Sequence, residues 1–190
     1  MHGAERVAAV ILAGGQGSRM GGADKGLIDY HGRPLIEWAL AAIAPQVEEL
    51  VISANRNLDV YAGYGHRVLP DILPDFSGPL AGVLAALQAV AADWLVVVPC
   101  DTPHLPADLA ARLLEAAQRE NVPLAVAADD MRTHHTCFIV CADQRGRLAE
   151  FLARGDRAVR HWQAGLPSTT ARFDAAHLAN LNRPEDLSRF

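Results

Sequence analysis

Residues 7–13 form an unbroken, partly β-branched apolar run that stops at a cluster of glycines. Such a run fits a strand buried on both faces. Similar short runs occur at 50–54, 67–69 and 94–98, and between them lie stretches of helical character. Pro34 opens one, with Leu35, Ile36, Ala39, Leu40 and Ile43 at helical spacing. Residues 80–92 are rich in Ala and Leu, and 107–119 hold good helix formers after Pro106. Strands alternating with helices imply βαβ units: an α/β fold of one domain, in three α/β/α layers, with a mainly parallel sheet. After Pro123 the pattern loosens. Strands are expected at 124–127 and 137–141 with a polar, His-containing bend between them, short helices at 146–154 and 158–164, a strand at 169–173 and a final helix at 184–190.

Composition narrows the function classes. With 51% hydrophobic residues the 190-residue chain can bury a core. Its net charge of −5 argues against a general grip on nucleic acid, which needs a basic surface. No apolar run approaches a membrane span, and Met1-His2-Gly3-Ala4-Glu5-Arg6 lacks the basic start of a secretory signal. Cys100, Cys137 and Cys141 are an odd, small set, so reduced thiols in the cytosol are expected. His134, His135, Cys137 and Cys141 fit no common zinc spacing, and buried strand cysteines are the plainer reading.

Ligands of such sheets bind beyond the carboxyl ends of the strands, so the residues just past each strand matter most. Six glycines occur within residues 12–26, together with Arg19 and Lys25. Glycine backbones let N–H groups approach an anion closely, and two cations nearby suit a triphosphate; the alternative is a surface loop with solvated charges. It is neither a dinucleotide fingerprint, because Met20 stands where the last glycine belongs, nor a Walker loop, because Lys25 is followed by Gly26. Ser53, Asn55 and Arg56 come after the second strand and are placed to reach a base or ribose, or to make an ordinary turn. Asp71 comes after the third, as turn residue or ligand contact. Gly78-Pro79 opens a helix that contains Gly82, which costs about 1 kcal/mol relative to Ala and suggests a close approach. Asp101 stands just past the strand at 94–98, where one carboxylate can hold Mg²⁺ together with substrate phosphates; a solvated turn aspartate is the alternative.

Residues 12–26 resemble the L-A-G-G-x-x-x-R-M-G-G-x-D-K-G loop of the molybdenum cofactor guanylyltransferases, nucleotidyltransferases of Rossmann-like fold. Residues 71–82 resemble their D-x-x-x-D-x-x-G-P-L-A-G segment, 99–106 their P-C-D-x-P-x-x-P, and 180–187 their N-x-N-T-P-E-D-L. Four collinear motifs cover nearly the whole chain. The resemblance implies one domain over 1–190, with a nucleotide-binding part to about residue 105 and an acceptor-binding part beyond it. It implies that Leu12, Ala13, Gly14, Gly15, Ser53 and Asp71 contact the guanine nucleotide, that Lys25 holds its phosphates, and that Asp101 binds both Mg²⁺ and nucleotide. Arg19, Gly22, Gly78, Gly82, Asn180 and Asn182 would line the wider active-site and cofactor-binding surface. Ser53 stands where some members have Asn, and Arg183 replaces the Thr before Pro184.

The implied reaction joins GMP from GTP to the terminal phosphate of molybdenum cofactor and releases pyrophosphate, with transient contact to molybdenum-insertion proteins and molybdoenzymes. A phosphate monoester has a second pKa of about 6 and needs no general base. The strand ends accordingly offer no convincing Ser-His-Asp or Cys-His set. Lys25, Asp101 and Arg19 would work by positioning and charge neutralisation. A cytidylyl or sugar-phosphate enzyme of the same fold, and a non-catalytic cofactor-transfer adaptor, are the alternatives.

Overall fold

A computed structural model describes residues 5–13, 24–71, 78–181 and 186. Seven strands form the central sheet in the order β5-β4-β1-β6-β8-β7-β9. These are β1 (Val7–Leu12), β4 (Glu49–Ser53), β5 (Arg67–Leu69), β6 (Trp94–Pro99), β7 (Leu124–Ala128), β8 (Thr133–Cys141) and β9 (Thr169–Arg172). β4 and β6 flank β1 in parallel, β5 extends β4 in parallel, and β9 runs parallel to β7. Among the described strands of this sheet, only β8 runs antiparallel to its neighbours, β6 and β7. A small hairpin, β2 (Asp29–Tyr30) and β3 (Arg33–Pro34), stands apart from this sheet.

Alternate residues of the strands face two cores. Ile11, Ile52, Val98 and Ile139 pack with α1 (Leu35–Ile43) and α4 (Leu109–Arg119) on one side. Val10, Val51, Val97 and Phe138 pack with α3 (Pro79–Ala89), α5 (Arg145–Ala153) and α6 (Val159–Ala164) on the other. Both faces being covered explains why the central strands read as continuous apolar runs rather than alternating ones. The single domain with a mostly parallel sheet between helical layers is as the residue pattern implied.

Three local readings need correction. The His-containing bend is strand: residues 133–136 begin β8. Between the pairs Val126↔Phe138 and Ala128↔Thr133 the register shifts, so the polar residues are carried in a bulge. The expected helices at 80–92 and 107–119 are α3 and α4 with shorter bounds, because Val90 is extended (φ −95°, ψ 150°) and Asp108 has a non-helical backbone (φ −116°, ψ 16°). A short helix, α2 (Leu58–Ala62), and the β2–β3 hairpin had no counterpart in the residue pattern. Of the final helix expected at 184–190, only residue 186 lies among the described residues.

Candidate active site

The parallel register aligns the carboxyl ends of three strands. Leu12 pairs with Ser53 on one side and with Pro99 on the other. Just beyond, the Ala13 N–H donates to the Ser53 carbonyl (2.8 Å) and the Cys100 N–H to the Leu12 carbonyl (3.1 Å). The chain therefore leaves β1, β4 and β6 at one level, and Ala13, Asn55 and Asp101, which follow these strands, lie along one edge of the sheet.

Asp101 is the centre of that edge. It is buried, and one carboxylate oxygen forms an ion pair with the Lys25 ammonium. The other accepts a hydrogen bond from the Asn180 side-chain amide at 2.8 Å. Residues separated by more than seventy positions in either direction thus meet on one carboxylate. Asn180 is held there by its neighbour. The Leu181 N–H donates to the Asp101 carbonyl (2.9 Å), and the Leu181 side chain is buried against Tyr30 and Leu35. Removing either charge of a desolvated pair leaves the other uncompensated, at a cost of several kcal/mol for fully buried cases. A polyanion with its counter-cation can replace both halves of the pair at once.

A second group lies where β1 and β4 meet α3. A Cβ on Gly82 would fall 3.0 Å from the Ser53 Cβ and 3.2 Å from a Leu12 methyl, and closer still to the Ser53 hydroxyl. The helix-interior glycine therefore has a packing reason: α3 must pass close over the ends of β1 and β4. At the start of the same helix Gly78 has φ +80° and ψ −179°, a region that is essentially glycine-only. Nearest to the position its Cβ would occupy is the Arg157 carbonyl, at 3.9 Å, from the segment between α5 and α6.

Asp71 forms a third group with Asn55. The Asn55 side-chain Nδ2 donates to the Asp71 carboxylate (2.7 Å), and the Asp71 backbone N–H donates back to the Asn55 side-chain Oδ1 (2.8 Å). Burial raises the Asp71 carboxyl above the ordinary carboxylate range, partly offset by the Asn55 hydrogen bond. Asp71 comes after β5 and Asp101 after β6, three strand spacings apart in the sheet, or about 14 Å. The two carboxylates therefore lie at separate places along this edge of the sheet.

Gly14, Gly15, Arg19, Gly22 and Asn182 lie outside the described residues, as does Arg183. Cys100 is buried next to Asp101, and burial pushes its thiol up, so it offers no thiolate nucleophile. His134 and His135 are engaged elsewhere: His134 Nε2 meets the Asp129 carboxylate at 2.7 Å and His135 Nδ1 meets the Gln163 amide oxygen at 2.6 Å. Among the described residues no group of three or more His, Cys, Asp or Glu is gathered to hold a metal ion. Asp101 supplies a single hard carboxylate, a donor suited to an ion that takes its other oxygens from substrate phosphates and water.

Asp24 belongs to the resemblance over residues 12–26, but its partners are not legible in the sequence. Asp24 accepts from the Tyr61 hydroxyl (2.5 Å) and from the Asn57 amide (2.9 Å), both from the neighbourhood of α2. Asp24 directly precedes Lys25 in the glycine-rich loop, but its partners lie over thirty residues away and carry no motif.

A family model for the MobA-like NTP transferase domain matches residues 9–170. The chain belongs to this family. A molybdenum cofactor guanylyltransferase of Polynucleobacter asymbioticus is 45% identical, the alignment covering 96% of this chain and 94% of that protein. One of Cupriavidus necator is 42% identical, covering 95% and 94%. Among solved structures, molybdopterin-guanine dinucleotide biosynthesis protein A from Archaeoglobus fulgidus superposes with a TM-score of 0.81 at 22% identity, over 96% of this chain and 95% of that one. A 2-C-methyl-D-erythritol 4-phosphate cytidylyltransferase from Thermus thermophilus shares the fold at a TM-score of 0.72 and 22% identity, over 94% of each chain. The MobA-like family assignment agrees with the motif resemblance, and the chain is a nucleotidyltransferase.

Proposed function

We propose that this MobA-like enzyme transfers the guanylyl group of GTP to the terminal phosphate of molybdenum cofactor. A phosphate oxygen of the acceptor attacks the α-phosphorus, the bond from that phosphorus to the α,β-bridging oxygen breaks, and pyrophosphate leaves. The product is molybdopterin guanine dinucleotide. The observation that carries this reading is the meeting of Lys25, Asp101 and Asn180 on one carboxylate, in a chain whose relatives at 42–45% identity are named molybdenum cofactor guanylyltransferase.

In this reading the residues work by position and charge. Lys25 moves from Asp101 to the β- and γ-phosphates, where a compact ammonium offsets the charge of the departing pyrophosphate. Asp101 would hold Mg²⁺, which when bound stabilises charge on the phosphates. Asn180 keeps the Asp101 carboxylate oriented as Lys25 leaves it. Leu12, Ala13 and Ser53, with Gly14 and Gly15, line the nucleoside side, and Asp71 with Asn55 holds its margin. Gly78, Gly82, Asn180 and Asn182, with Gly22, face the acceptor, and Arg19 supplies a further cation to either substrate. No general base is required, because the attacking phosphate is already dianionic near neutral pH. Most of the nucleotide side falls within about residues 1–105 and most of the acceptor side within 106–190, with the glycines that face the acceptor reaching it from the first part. The reading places the enzyme in the cytosol, with its product passed to molybdenum-insertion proteins and molybdoenzymes.

Doubly labelled nucleotide tests the reading. With GTP labelled at the α- or the γ-phosphate and molybdopterin as acceptor, the pterin product carries the α-label only. A γ-label on the pterin, or no label on it from folded protein, contradicts guanylyl transfer.

A further inference from the structure

We propose that the Tyr61 hydroxyl, acting through the Asp24 carboxylate, fixes the backbone from which the Lys25 side chain reaches Asp101 and the phosphates, which makes Tyr61, Asp24 and Asn57 positioning residues for the transfer. The proposal rests on the reading of Lys25 as the phosphate-holding group. Tyr61 is fully buried, yet its hydroxyl donates to Asp24 at 2.5 Å. Burial first, and then the Asp24 carboxylate, pushes its phenol up, so it remains a donor throughout the working pH range. The second Asp24 oxygen accepts from Asn57, which sits in the left-handed region (φ +50°) immediately before α2.

These bonds fix the turn that carries Lys25. The Asp24 carbonyl accepts from the Leu27 N–H (3.0 Å) and the Lys25 carbonyl from the Ile28 N–H (3.3 Å), closing a single 3-10 turn over Lys25–Leu27. Gly26, within that turn, is seated on the tyrosine: a Cβ there would lie 2.5 Å from the Tyr61 hydroxyl oxygen. The turn is thus held by its backbone, by two hydrogen bonds to the Asp24 side chain, and by contact with a buried ring. A lysine has a long stem with large rotamer freedom, so its charge is placed only when its backbone is fixed. Here the fixing group lies one residue before it and is anchored by Tyr61 of α2 and by Asn57 immediately before that helix.

Lys25 is the only lysine in the chain, which gives a direct readout. An amine-acylating reagent, with the modified peptide resolved from the N-terminal amine by mass spectrometry, reports the freedom of this one side chain in the protein alone. Tyr61→Phe keeps the ring and removes the donor; Asn57→Ala removes the other bond. In each variant the Lys25 acylation rate is expected to rise about five-fold, the equivalent of one ordinary hydrogen bond. In a parallel reaction with a thiol-alkylating reagent, the buried Cys137 thiol, on a different strand of the sheet, is expected to react at the wild-type rate in both. In pyrophosphate release, Tyr61→Phe lowers kcat/KM for GTP in the wild-type background and costs nothing further in a Lys25→Ala background. A wild-type acylation rate in a folded variant, a parallel rise at Cys137, or a full additional loss on top of Lys25→Ala overturns the proposal. If Tyr61→Phe does not fold, Asn57→Ala decides. A wild-type protein that releases no pyrophosphate counts against the guanylyl reading, while the acylation rates still decide the positioning role.

Discussion

Replacing Gly82 by Ala sets two effects of opposite sign against each other. In an open helix interior the change stabilises by about 1 kcal/mol, because glycine loses more backbone freedom on folding. At this position the new methyl would lie 3.0 Å from the Ser53 Cβ, 3.2 Å from a Leu12 methyl, and inside contact distance of the Ser53 hydroxyl. Ser53 is buried at the end of β4 and can turn its hydroxyl aside, but its Cβ cannot move without the strand. Overpacking of this kind costs about 1–3 kcal/mol, and contact with two neighbours puts it toward the upper end. The net expectation is a loss of about 1–2 kcal/mol. For a chain of this size that lowers Tm by about 2–8 °C. Thermal unfolding by circular dichroism reads it, and Ser53→Gly in the same molecule should restore part of the loss. A Tm at or above wild type for Gly82→Ala would show that α3 does not press on the ends of β1 and β4, and the account of that contact would be wrong.

The site geometry and one buried pair carry three further expectations. Asp101→Asn keeps a hydrogen-bond acceptor for Asn180 but loses the charge facing Lys25; turnover should fall by about 10²–10³-fold, the scale of losing one preorganised electrostatic group, while the circular dichroism spectrum stays native. Lys25→Arg should restore little of the activity lost in Lys25→Ala, measured as kcat/KM for GTP, because a planar guanidinium does not fit where a compact ammonium meets one carboxylate oxygen. Asp129 is held down to about 2, first by the His134 hydrogen bond and then by the Met131 N–H. A carboxyl lowered in the fold contributes stability above its ordinary value near 4 and loses it as pH falls toward 2. The Tm gap between wild type and Asp129→Asn should therefore close as pH falls from about 5 toward 2; a gap that widens over that range contradicts the assignment.

How far the sequence reveals this molecule depends on the range of each interaction. The strands β1, β4 and β6 are evident from their residues because a strand buried on both faces has no choice but to be apolar throughout. Asp101 stands out for the same reason: a carboxylate directly after such a strand is conspicuous. Gly82 is flagged by its propensity cost, but its partner Ser53 appears only when α3 is laid over β4. The beginning of β8 is misread because Thr133, His134, His135 and Thr136 lack an apolar alternation, and what holds them is a bulge and the partners Asp129 and Gln163. The two-residue strands of the β2–β3 hairpin and the five-residue α2 are too short to show a period. With α2 unseen, nothing marks Tyr61 as the partner of Asp24. Asn180 enters from motif resemblance; its hydrogen bond to Asp101 is a product of the tertiary fold alone.

Pyrophosphate release with molybdopterin and Mg²⁺, offering GTP, CTP, ATP and UTP in turn, tests the central claim most directly. Release with GTP alone is expected. Release with CTP in place of GTP would leave the fold and the role of Asp101 standing and contradict guanylyl transfer, and no release with any nucleotide from folded protein would contradict catalysis itself.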